Sequence, residues 1–136
     1  MKYFFICVFS LSILLSCKTT SDQSEIEAAP VVITPTIEVL DKPAFKDAIK
    51  SGKVQLVDVR TPEEFAGGHI EKATNIDFLA DDFSEAILEV NKDKPVYIYC
   101  RSGNRSGQAA QIMQKLGFKT IYDLKGGYLA WSETDQ

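Results

Sequence analysis

The residues best equipped for chemistry are Cys100-Arg101-Ser102-Gly103-Asn104-Arg105-Ser106, which follow the apolar run Val96-Tyr97-Ile98-Tyr99. An uninterrupted apolar run reads as a strand buried on both faces. A cysteine at its end is most commonly a core residue. Here the polar and charged residues that follow could not enter a core without partners, which argues against that reading. Gly103 permits a tight turn in which successive backbone N–H groups face one anion. The helical pattern beginning near Arg105 adds its positive end, and Arg101 and Arg105 add charge. All of these favour a thiolate, the nucleophilic form of the side chain.

The elements that must hold this loop follow from periodicity. Ile37-Glu38-Val39-Leu40 is a short strand candidate. Asp41 caps a helix with Pro43 in its first turn and Phe45, Ala48 and Ile49 on one face, closed by Gly52. Val54 to Val59 reads as a second strand. Thr61, Pro62 and Glu64 form a capping box opening a very short helix that Gly67-Gly68 ends. His69-Ile70 and Thr74 to Ile76 read as extended pieces leading to a small third strand. Phe83, Ala86, Ile87 and Val90 share a stripe, which predicts an amphipathic helix over Asp82 to Asn91. After the cysteine loop, Ala109, Ile112, Met113 and Leu116 repeat that stripe as far as Gly117. Thr120 to Leu124 is another strand, and Gly126-Gly127 leads to a last helical turn with Tyr128 and Trp131, the latter expected in the core. Apolar strands alternating with helices predict an α/β domain with a largely parallel sheet, whose function gathers at the carboxyl ends of its strands.

The chain has 136 residues, room for one domain, with a net charge of −4 and no basic block, which argues against a nucleic-acid partner. Lys2 followed by the apolar run Tyr3 to Leu15 reads as an export signal, too short to span a bilayer comfortably. Leu14-Leu15-Ser16-Cys17 resembles the lipobox of bacterial lipoproteins, whose cysteine is lipidated and becomes the first mature residue. Residues 1–16 are then a signal peptide, and 17–36 are the lipidated Cys17 with a flexible tether. Roughly 18 extended residues would reach about 60 Å. The expected location is the bacterial cell envelope, lipid-anchored, with the leaflet open. Cys7 leaves with the signal and Cys17 carries lipid, so Cys100 is the remaining free thiol. One His and one free Cys supply too few soft ligands for a Cys/His metal site, and no cofactor is called for.

Taken together, Leu56 to Phe65, Gly68-His69-Ile70, Asn75-Ile76, Cys100 to Ser106, Gly126-Gly127-Tyr128 and Trp131 resemble the rhodanese-like family in its single-domain form. The resemblance covers about Ile37 to Ser132 and assigns 37–136 to that domain. It implies a central sheet with helices on both faces, and a sulfurtransferase acting by double displacement. Cys100 would take sulfur from a small anion such as thiosulfate or polysulfide, hold it as a persulfide, and pass it to a thiol or other nucleophilic acceptor.

Residues Arg101, Ser102, Gly103, Asn104 and Arg105 would form the persulfide-binding loop. The two arginine side chains would either position an anionic donor or brace the loop. The resemblance gives Asp58, Arg60 and His69 supporting roles around the site. Protein tyrosine phosphatases place an arginine six positions after the cysteine, whereas Arg105 stands at five, which suits sulfur better than phosphate. The family usually has Gly where Lys72 stands, so the local turn departs from the pattern. A rhodanese-fold regulatory or persulfide-carrier module is the alternative function. A thiol redox role lacks a resolving cysteine.

Overall fold

A computed structural model describes residues 34–134 of the 136; Cys7, Cys17, the signal and most of the tether lie outside them. Five strands form one sheet: β1 (Thr36–Leu40), β2 (Gln55–Asp58), β3 (Thr74–Asn75), β4 (Val96–Tyr99) and β5 (Thr120–Leu124). Their order is β1-β5-β4-β2-β3, and every pairing is parallel. The middle strand is therefore β4, the one that delivers Cys100.

Helices cover both faces of the sheet. On one face α4 (Asn104–Lys115) buries Ala109, Ala110 and Met113 against Val57, Ile98 and Ile121. On the other, α1 (Lys42–Ile49) inserts Phe45 beside Leu56, Tyr99 and Leu124, while α5 (Gly127–Ser132) packs Tyr128 and Trp131 on the same cluster. Burying a side chain such as Phe45 contributes about 1.5–3 kcal/mol. Strands buried on both faces explain the near-continuous apolar runs in β2 and β4.

The local signals act as their chemistry dictates. The Asp41 carboxylate accepts from Ala44 N–H at 3.0 Å, capping α1. Thr61 and Glu64 make both bonds of the capping box that starts α2 (Pro62–Ala66). Trp131 is half-buried rather than internal, meeting the Phe45 ring edge-on at 6.4 Å.

Two segments differ from expectation. Asp82 to Asn91 is not one helix: a single α turn, α3 (Phe83–Ala86), passes into a 3-10 turn at Ile87–Glu89, and Val90 is already extended. Asp82 makes no side-chain cap, and Phe83 and Ile87 are buried, with Val90 packed partly against the same cluster, while Leu88 stays exposed. The apolar stripe reports core contacts, not helical length.

The second concerns Lys72. Ala73 N–H closes a turn on Ile70 O at 3.0 Å, and Lys72, its third residue, has φ 68°. A turn with that geometry ordinarily places Gly there. Lys72 is the one non-glycine residue with positive φ among the described residues. Among the described residues no helix is long and apolar enough to cross a membrane.

Candidate active site

Cys100 lies just past the carboxyl end of β4, 1% exposed. Its Sγ accepts the Gly103 N–H at 3.1 Å, and the Ser106 hydroxyl reaches it at 3.4 Å. Gly103, at φ 98°, is the left-handed residue that folds the loop back over the sulfur and starts α4. It has no side chain to cap that helix, so the first N–H groups of α4 stay available to an anion.

The loop is aimed from outside. Tyr128 N–H donates to Cys100 O at 2.8 Å and Leu129 N–H to Arg101 O at 3.0 Å. In a trans peptide the carbonyl and the following N–H point in opposite directions. With both carbonyls drawn toward α5, the N–H groups of Arg101 and Ser102 point away from it. The contact requires Gly127, where a Cβ would lie 2.5 Å from Cys100 O and 2.8 Å from Arg101 O.

The two arginines of the loop part company. Arg105 makes a two-pronged pair with Glu64, Nη1 to Oε2 and Nη2 to Oε1, each at 2.7 Å. This guanidinium braces the loop against α2. Arg105 holds the Glu64 carboxyl down at about 2, helped by the Thr61 N–H and opposed by burial. Arg101 is exposed and joins no ion pair among the described residues. Ser102 and Asn104 are also exposed, with the Asn104 carboxamide accepting from Gln108 at 2.8 Å.

Asp58 and Arg60 stand one layer back. Both Asp58 oxygens are held by the Arg60 side chain at 2.6–3.0 Å, and Arg60 N–H adds a bond at 2.9 Å. Arg60 also donates to Gly68 O at 2.7 Å and lies 4.1 Å from the Tyr128 ring centroid. One guanidinium thus joins β2, the turn after α2, and α5. His69 is exposed, stacks on Phe65 at 3.8 Å, and places Nδ1 3.0 Å from Phe65 O, so Nδ1 carries the hydrogen. No hydrogen bond joins it to the cysteine loop.

The model of the rhodanese-like domain matches residues 41–134. The chain belongs to the rhodanese-like domain family. It is 49% identical over 79 residues to YqhL of Bacillus subtilis, covering 58% of this chain and 61% of that protein. The chain thus spans about three fifths of that relative. It is 35% identical over 82 residues to thiosulfate sulfurtransferase GlpE of Shewanella oneidensis, covering 60% of this chain and 79% of that one. The human single-domain sulfurtransferase TSTD1 superposes with a TM-score of 0.64 at 25% identity, over 72% of this chain and 97% of that one.

Three residues of this rhodanese-like domain reach the sulfur or its loop through contacts that the sequence does not show. Ser106 directly follows the loop and touches Sγ. Glu64 closes its capping box and binds Arg105 as well. Gly127 lacks the side chain that would keep α5 from meeting the loop. A cavity of about 600 Å³ lies elsewhere, under α1 and the Ile70–Ala73 turn, lined by Leu56, Ile70, Lys72 and Trp131, with no residue of the 100–106 loop. Among the described residues no group of three or more His, Cys, Asp or Glu could hold a metal ion.

Proposed function

We propose that the chain is a sulfurtransferase that carries sulfane sulfur as a persulfide on Cys100. The observation that carries this reading is the convergence of Gly103 N–H and the Ser106 hydroxyl on Cys100 Sγ, in a loop fixed by α5. The thiolate attacks the outer sulfur of thiosulfate, a new S–S bond forms, and the old one breaks with its electron pair leaving on sulfite. An acceptor nucleophile then takes the outer sulfur and returns the thiolate. No proton has to move at sulfur, so no general base is needed. Backbone N–H groups and the α4 terminus stabilise the persulfide anion. Arg101 meets the incoming dianion, since Arg105 is held by Glu64.

Steady-state transfer from thiosulfate to cyanide, followed as thiocyanate, tests turnover. The wild type should be active and Cys100→Ser inactive. A protein acceptor is a second reading, favoured by Leu129. This residue pins Arg101 O yet leaves its own side chain 44% exposed beside the loop. Negligible turnover with small acceptors, alongside sulfur transfer to a partner protein, would select it. From the sequence alone we further propose that Cys17 is lipidated and holds the domain in the cell envelope. Mass spectrometry of the native N-terminus tests this, and an unmodified Cys17 would overturn it.

A further inference from the structure

The cavity under α1 takes no part in the sulfur chemistry above. Its floor is apolar, with Leu56 and Ile70 buried beneath it and Trp131 half-buried at one side. At about 600 Å³ it falls within the range that accommodates a small molecule. Its mouth is basic. Lys42, Lys46, Lys50 and Lys72 stand around it against Asp47 and Glu71, an excess of two positive charges on a chain whose net charge is −4. The lysine stems extend the apolar wall while their ammonium groups set the sign of the field at the entrance.

These lysines differ in their commitments. Lys42 donates from Nζ to Glu133 O at 2.5 Å, which ties the start of α1 to the end of α5 and frames the cavity. Lys50 and Lys72 join no ion pair or side-chain hydrogen bond among the described residues. Lys72 holds its place at a cost, because its φ of 68° lies in the left-handed region that a side chain disfavours. Its side chain runs across Gly52, where a Cβ would fall 2.6 Å from Lys72 Nζ and 3.3 Å from Cδ. Gly52 closes the turn after α1, with its N–H on Ile49 O at 2.9 Å. The Ile70–Ala73 turn thus lays an ammonium over that turn, at the cavity mouth. A strained backbone carrying a charge with no protein partner suits a ligand site better than a structural one.

We propose that this cavity binds a small amphipathic anion, an apolar ring or chain ending in one carboxylate or sulfonate group. Lys50 and Lys72 meet the anionic head, and Leu56, Ile70 and Trp131 meet the apolar body. Thiosulfate, which has no apolar body, does not match this floor. The cavity includes no residue of the 100–106 loop, so the site is distinct from that of sulfur transfer.

The test is a titration of the full chain with anilinonaphthalene sulfonate, followed through the indole N–H cross-peak in the NMR spectrum. The chain has one tryptophan, so that peak belongs to Trp131. Phenylnaphthylamine, the same rings without the sulfonate, is titrated in parallel. The peak should shift saturably with the sulfonate. Lys50→Gln combined with Lys72→Gly should weaken that binding about three- to tenfold, as expected for two exposed ion pairs. Affinity for phenylnaphthylamine should be the same in both proteins. Because glycine relieves the backbone at position 72, the loss would not reflect a damaged fold. A Trp131 peak unmoved by the sulfonate overturns the proposal. Equal affinity of the two proteins for the sulfonate does so as well, as does an equal loss for both compounds. Binding needs no sulfur donor, so its outcome is independent of whether Cys100 forms a persulfide.

Discussion

Arg105 and Glu64, 41 positions apart in sequence, meet through two hydrogen bonds of 2.7 Å. Glu64 also accepts the Thr61 N–H at 3.2 Å, so one carboxylate ties the start of α2 to the start of α4. The pair gives acid stability a definite sign. Glu64 titrates at about 2 in the fold against an ordinary 4.5. Its contribution is therefore fully present above about 4.5 and is lost as pH falls toward 2. Because the pair is partly exposed, solvent screening leaves about 1–2 kcal/mol. Urea unfolding of Glu64→Gln should show that deficit at pH 7 and little difference from wild type near pH 2.

Arg101 has no such commitment. Arg101→Ala should change the unfolding midpoint little, since exposed substitutions usually stay within about 0.5 kcal/mol. It should raise KM for thiosulfate about tenfold, equivalent to about 1.4 kcal/mol of donor binding. The effect should shrink at high salt, as expected for an exposed guanidinium attracting a dianion. Steady-state kinetics at two ionic strengths measure both effects.

Gly127 combines φ +61° with the closest backbone approach in the site, 2.5 Å from a hypothetical Cβ to Cys100 O. Gly127→Ala cannot be absorbed by a side-chain rotation, because the obstacles are main-chain atoms. A loss of about 3–5 kcal/mol is expected from backbone strain and the lost Tyr128 and Leu129 bonds. Thermal unfolding measures it. An alanine variant as stable as wild type would mean that α5 does not set the loop.

Lys72 offers the opposite case. A lysine at φ 68° bears the cost of a left-handed backbone that glycine avoids. Lys72→Gly should stabilise the domain by about 0.5–1 kcal/mol, less than the full steric cost because glycine loses more entropy on folding. A higher urea midpoint with an unchanged slope would show it.

The strand and helix order was legible because the sheet is buried on both sides, which writes long apolar runs into β2 and β4 and clear stripes into α1 and α4. The capping signals at Asp41 and Thr61 were legible because they are local chemistry. Asp82 to Asn91 misled because Phe83 and Ile87 satisfy a helical stripe whether or not the backbone stays helical. In the site, Cys100 and Gly103 were visible as types at a spacing. The partition between Arg101 and Arg105 was not, since it depends on Glu64 arriving from another helix. The contact of the Ser106 hydroxyl with Cys100 Sγ was not legible either, since it depends on where the start of α4 sits over the end of β4.

The central claim is that Cys100 carries sulfur, and the mass of the protein after incubation with thiosulfate tests it most directly. The protein should gain one sulfur atom, located on the Cys100 peptide, removed by cyanide, and absent in Cys100→Ser. An unmodified Cys100 after exposure to both thiosulfate and polysulfide would contradict it.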